Sequence, residues 1–312
     1  RQMELNTDFQ CGHIRVLTGG KNCVWPGKFT AFSPFRKCLL ITCNGNRYSR
    51  LSYERGLMSD TDGAQPGVVV TKLEGRGPLN LLGRDTFLAL KVELDRLDQD
   101  RSVRAVILTG SGDRAFSAGV DLHQMKDLDQ ADAESFIMAL HAPARKLLTM
   151  AIPAIAAIKG PCLGGALELI LACDIRIATE DAILGLPEVQ VGIPSVIEAS
   201  LLPPTIGLGR ARRLLLTGET VNASEAMAMG LVDMVVPTDL LMQKAHETAN
   251  QFLGMSRDVL ASQKDIVTKW LELGEEDSAK FTIAEFSRIF KTPAPHEGMS
   301  AFLEKRKPNF AD

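Results

Sequence analysis

Short apolar runs alternate along this chain with longer stretches of helical periodicity. Residues 68–73, VVVTKL, are β-branched and few, which predicts a strand. Gly75-Arg76-Gly77-Pro78 breaks it. Over residues 84–97, Phe87, Leu88, Leu90, Leu94 and Leu97 recur at helical spacing. Residues 105–108 give a second strand, closed by the loop TGSG at 109–112. Residues 134–150 predict a helix with a kink or break at Pro143. A third strand at 155–158 leads to a short helix at 166–173 and a fourth strand at 174–178. From Gly209 the pattern is helical almost to the end, and the tail after about Asp239 is expected to form a separate layer able to pack on another subunit. Strands alternating with helices argue for an α/β fold with a buried sheet.

Composition divides this picture in two. The chain has 312 residues, 45% of them apolar, and a net charge of -3. That gives no electrostatic case for nucleic acid as the main partner. No apolar run reaches about 18 residues, so no transmembrane helix is expected. The charge is unevenly spread: residues 1–57 are basic and the remainder is acidic. Cys11, Cys23, Cys38 and Cys43 fall in the first segment, and the composition breaks at about Met58. Residues 1–57 are therefore expected to be an extension, poorly ordered or not native, with Met58 as the natural start and the cytoplasm as the compartment. A mitochondrial presequence is the alternative, since the segment is poor in acids. A zinc site on its four cysteines is disfavoured, because no CxxC pair occurs. Residues 58–238 are expected to form the core and 239–312 a helical region that drives oligomerisation. Cys162 and Cys173 lie in apolar surroundings and read as reduced core residues.

The chemistry centres on one acid. Glu168 stands in an almost wholly apolar stretch, PCLGGALELILACDIRIAT at 161–179, three residues after a glycine pair. Burying a carboxylate without partners is costly. Gly164 and Gly165 let a ligand approach the backbone, and the helix that starts after them presents free N–H groups and a positive dipole end. A backbone N–H there is a donor suited to an oxyanion. On this stretch alone, Glu168 reads equally as a first-turn acid favoured by the dipole, with the glycines serving tight packing. Glu188, in GLPEVQVG at 185–192, is a second acid flanked by apolar residues. Two carboxylates in such surroundings can have their pKa values pushed apart, giving one acid and one base. A capping or surface role is its alternative. In AFSAGVDL at 115–122, small residues leave the backbone accessible, and Val120 can give a second N–H. Ala118 borders the same opening, and Asp121 reads as a cap on the next helix.

Five segments together resemble the crotonase family, the enoyl-CoA hydratase/isomerase superfamily. They are AFSAGVDL, IKGPCLGGALELILACDIRIA, LPEVQVGIP, GRARRLLLTGETVNASEAMAMGLVDMVV and FLEKRKPNF, in the family's order and spacing over about residues 66–310. The resemblance implies a right-handed ββα spiral with a helical C-terminal region, assembled as a homotrimer or homohexamer. It implies an acyl-CoA thioester as substrate, with no metal and no cofactor beyond the coenzyme A that the substrate carries. By position, the backbone N–H groups of Val120 and Gly165 match the family's oxyanion hole, and Glu168 and Glu188 match its two catalytic glutamates. Arg76, Ala118, Asp121, Gly164, Phe302 and Lys305 match or border positions that touch the substrate or its CoA. The reaction implied is hydration of a 2-enoyl-CoA, as in fatty acid β-oxidation. A double-bond isomerase using mainly Glu188 is the runner-up, and a non-catalytic binding protein is the alternative from another class.

One segment departs from the family. After the second glutamate, many hydratases carry a glycine-rich loop, whereas this chain reads GIPSVIEASLL at 192–202, one residue shorter and with bulkier residues. Chain-length preference is therefore not readable. Glu198 in this loop adds a third acid, expected on a helix surface rather than in the chemistry.

Overall fold

The computed structural model describes residues 65–310, together with three short strands nearer the start of the chain. The chain divides into two units, Arg1–Gly56 and Leu57–Asp312. In the first, β1 (Val16–Thr18), β2 (Leu39–Ile41) and β3 (Ser49–Leu51) form an antiparallel sheet in the order β1-β2-β3. The other expectations placed on residues 1–57, including the presequence and the zinc site, lie outside the described residues.

The second unit is built on a five-stranded sheet. Its strands are β4 (Val68–Leu73), β5 (Ala105–Gly110), β6 (Ala154–Ile158), β8 (Ile175–Thr179) and β11 (Met234–Val236). The order is β11-β8-β6-β5-β4, and every pairing is parallel. All six residues of β5 and all five of β6 are buried. A parallel sheet covered on both faces requires such unbroken apolar runs. A second sheet joins β7 (Pro161–Leu163), β9 (Ile183–Gly185) and β10 (Thr220–Asn222) in the order β10-β9-β7. Successive turns of the chain thus give one strand to the large sheet and one to the small: β6 then β7, β8 then β9. This is the ββα repeat of the expected fold class.

Helices close both faces. On one lie α1 (Arg84–Gln99), α2 (Gln130–Thr149) and α3 (Gly165–Leu171), with Phe87, Leu94, Leu140, Leu147 and Leu167 in the main core. Pro143 sits inside α2, which runs on past it to Thr149. The helix is therefore not broken there, and it begins four residues earlier than its periodicity predicts. Asp129 starts it by accepting from the N–H of Asp132 at 2.9 Å, a cap that a search for apolar spacing passes over. After the short helices α4 (Leu202–Ile206), α5 (Leu208–Thr217) and α6 (Ala223–Met229), the chain returns to the sheet at β11. The helical pattern expected from Gly209 onward is thus interrupted by β10 and β11. α7 (Leu241–Asn250) packs Leu241, Ala245 and Ala249 on Val70, Ile107, Ile155 and Ile177, the sheet's other face. Layers further out begin with α8 (Arg257–Glu272), followed by α9 (Glu275–Ile289) and α10 (Ala294–Leu303). No helix among the described residues is long and apolar enough to cross a membrane.

Candidate active site

The site forms where the small sheet meets the start of α3. Leu163 donates to the carbonyl of Ser117 at 3.1 Å, and Leu82 donates to that of Gly119 at 2.9 Å. The first bond, with the N–H of Ser117 donating to Pro161 at 3.0 Å, lays the start of the 117–120 loop along β7, and the second ties the loop to Leu82. Gly119 has φ 100°, and a β-carbon there would stand 2.9 Å from the Leu163 carbonyl oxygen. A β-carbon on Gly165 would meet Val120 Cγ2 at 3.0 Å. Val120 and Gly165 are therefore in immediate contact. Neither of their N–H groups donates to an acceptor among the described residues. The Gly165 N–H is one of the unpaired donors that every helix start leaves, and Val120 stands beside it. The N–H of Ala118, by contrast, donates to Leu79 at 2.9 Å.

The two glutamates approach this corner from different elements. Gly164 precedes α3 at φ 57°, ψ −133°, a conformation open to glycine alone. A β-carbon on Gly164 would also stand 2.8 Å from Glu188 Oε1. Glu188 sits in a 3₁₀ turn, 187–191, with Pro187 at its start as the sequence predicts. Its Oε2 accepts from Ser195 Oγ at 2.8 Å. Glu168, one turn into α3, is buried; its Oε1 accepts from the N–H of Val196 at 3.2 Å and its Oε2 has no partner. Adjacent residues of one loop, Ser195 and Val196, thus hold the two carboxylates.

Burial shifts both. It pushes Glu168 up to about 8, opposed by the Val196 N–H and helped by the charges of Glu188 and Glu198. Burial also raises Glu188, while the Ser195 hydroxyl pulls it back. A buried carboxylate resists ionisation because its charge has left water.

Glu198 is not on a surface. It is 4% exposed, in a 3₁₀ turn at 197–201, and its Oε1 lies 2.8 Å from His141 Nδ1 on α2. The apolar residues on both sides of it face the core around α3, and they carry the acid in with them. Ser195, His141 and Glu198 were beyond sequence reasoning. The substitution of a glycine-rich loop by SVIE was the only signal.

The other predicted residues fall into two groups. Arg76 Nη2 meets Asp121 Oδ1 at 2.8 Å, beside the Val120 loop. Asp121 also caps the turn 122–124 by accepting from the N–H of His123. These two belong to the rim of the site. Phe302, 82% exposed, lies near the end of α10, and Lys305 just beyond it, at φ 55°. The chain does not bring this pair to the glutamates.

Parallel sheet, second small sheet and two acids meeting near the start of α3 define a class, and the relatives bear it out. Residues 63–312 match the sequence model of the enoyl-CoA hydratase/isomerase family. The chain belongs to this family. It is 33% identical over 241 residues to a short-chain-enoyl-CoA hydratase of Clostridium acetobutylicum, covering 77% of this chain and 92% of that one. It is 36% identical over 233 residues to a crotonyl-CoA hydratase of Syntrophomonas wolfei, covering 74% and 90%. The crystal structure of an enoyl-CoA hydratase from Bacillus anthracis superposes with a TM-score of 0.76 at 32% identity, over 82% of this chain and 99% of that one. The family, the fold and the enzyme class expected from the five motifs are borne out.

Proposed function

We propose that this protein adds water across the double bond of a 2-enoyl-CoA thioester to give a 3-hydroxyacyl-CoA. The observation that carries the reading is the placing of Glu168 and Glu188 beside the two free N–H groups of Val120 and Gly165. The thioester oxygen accepts from both N–H groups, which draws electron density from C3. Water attacks C3 while Glu168 takes its proton. The C2–C3 π pair moves onto the thioester as an enolate, held by the two donors. The enolate then takes a proton at C2 from Glu188. Each proton-transfer group contributes roughly 10²–10⁴ in rate, and each oxyanion donor about 3–4 kcal/mol.

One proton serves two carboxylates in this scheme. Burial favours it on Glu168, and the Ser195 hydroxyl favours charge on Glu188. The free site then rests in the form that faces the 3-hydroxy product, and hydration draws on the form with the proton moved to Glu188. A bell-shaped dependence of kcat/KM on pH follows, its alkaline limb near the raised pKa of Glu168.

No metal or redox cofactor enters this balance. The apolar side chains exposed on the outer helices, Trp270 and Leu271 of α8, Ile283 and Phe286 of α9, support assembly as a trimer or hexamer. Arg76, Phe302 and Lys305 are read as contacts for the CoA moiety, the last two from a neighbouring subunit.

The test is hydration of crotonyl-CoA and decenoyl-CoA, followed as loss of the conjugated thioester absorbance, in wild type, Glu168→Gln and Glu188→Gln. A fall of about a hundredfold or more in each variant supports the reading. Absence of hydration by the wild type, with a 3-enoyl-CoA still isomerised through Glu188 alone, replaces it with an isomerase.

A further inference from the structure

The proposed scheme leaves one buried acid beside Glu168 unused. Glu198 follows Val196, the residue whose N–H holds Glu168, by two positions. Between them stands Ile197 at φ 41°, a conformation that is a genuine outlier for a β-branched residue. Such strain persists only where surrounding structure enforces it. Here it turns the Val196 N–H and the Glu198 carboxylate into the same interior, against α3. Glu198 Oε1 is fixed by His141, and its Oε2 is buried with no partner. Glu168 Oε2 is in the same condition.

Charged groups reach Glu198 from two of the elements packed on it. From α2 come His141 and Arg145; from α3 comes Glu168; α4 presents no titratable side chain. Glu188 faces Glu168 from its own turn. No group of three or more His, Cys, Asp or Glu among the described residues is placed to hold a metal ion. The cluster therefore holds carboxylates that compete for protons, with His141 as the direct anchor of Glu198. That anchor is half-exposed: the His141 side chain keeps 48% of its surface open.

We propose that Glu198, held by His141, is a positioning residue for the reaction: it acts through Glu168 and keeps the transferable proton on that carboxyl. Burial raises Glu198 as well, and His141 and Arg145 oppose that shift by stabilising its charge. Two neighbouring carboxylates in a dry interior do not both ionise readily. With the charge anchored on Glu198, the proton stays on Glu168. The inference rests on the reading of Glu168 as a proton-transfer group.

The experiment is the pH profile of kcat/KM for crotonyl-CoA hydration in wild type, Glu198→Gln, His141→Gln and the double variant, with Glu168→Gln alongside. Removing the Glu198 charge lets Glu168 ionise more easily, so the alkaline limb moves about one pH unit toward acid. His141→Gln moves it the same way, because Glu198 then holds the proton itself. In the double variant the limb lies where Glu198→Gln alone puts it. An unmoved limb in Glu198→Gln, or a further shift on adding His141→Gln to it, overturns the proposal. If Glu168→Gln keeps wild-type turnover, the reading of Glu168 has failed, and this inference falls with it for a separate reason. Thermal melts accompany each profile. His141 is half-exposed, so its variant carries the same test if Glu198→Gln does not fold.

Discussion

At Gly164 the space of a single methyl group decides where the Glu188 carboxylate can stand. Gly164→Ala places a β-carbon where Glu188 Oε1 stands and forces alanine into φ 57°. We expect kcat/KM to fall about a hundredfold, as for a catalytic group moved by an ångström, and stability to fall by about 1–3 kcal/mol. Steady-state kinetics and urea unfolding check the two separately. Glu168 makes the opposite trade. Its folded pKa, about 8, lies above its ordinary value of 4.5. The unfolded chain therefore releases this proton first, and as pH rises from about 4.5 to 8 the folded state loses about 1.4 kcal/mol per unit on this account. Below about 4.5 there is no difference. Glu168→Gln removes that loss, so this variant should be more stable than the wild type at pH 9 and nearly equal to it at pH 5, read by urea unfolding at both. The two glutamates were legible in the sequence because each breaks an apolar run, and a charge in such a run asks for a reason. Ser195, Glu198 and His141 gave no such cue. Glu198 interrupts only the short apolar stretch of Val196, Ile197 and Ala199, Ser195 is one small polar loop residue, and His141 meets Glu198 across 57 positions that only the tertiary fold brings together.

Four strands of the large sheet, β4, β5, β6 and β8, could be read from their short apolar runs, because a buried sheet leaves little alternation to misinterpret. The tail was harder. α7 carries a polar face like the helices after it, and its periodicity does not say whether its apolar stripe meets this chain's sheet or another subunit. The sheet face under it decides: Val70, Ile107, Ile155 and Ile177 are covered by Leu241, Ala245 and Ala249. Leu241→Ala should cost about 2–5 kcal/mol, seen as a lower midpoint in urea with one cooperative transition. A surface helix would lose little. β10 and β11 were missed for a related reason. Three residues each, they are too short to set a period of their own, and pairing with β9 and β8 is what makes them strands.

For the molecule as a whole, the boundary at Gly56 and Leu57 is a statement about independence. A chain beginning at Leu57 should keep the thermal transition and the crotonyl-CoA turnover of the full chain. Lost turnover would show that the first 56 residues serve the site. The family match, which begins at residue 63, agrees with the first outcome.

The donors proposed to polarise the thioester are main-chain N–H groups, free because of where the 117–120 loop and the start of α3 lie. No codon specifies them. A point mutation can erase Glu168 or Glu188 in one step, but it can remove the donors only by bending the backbone that carries them. The half of the machinery that handles the carbonyl is thus inherited with the fold, while the half that moves protons is open to change one residue at a time. A lineage built on this scaffold can alter the fate of the enolate without first reinventing the means to make it.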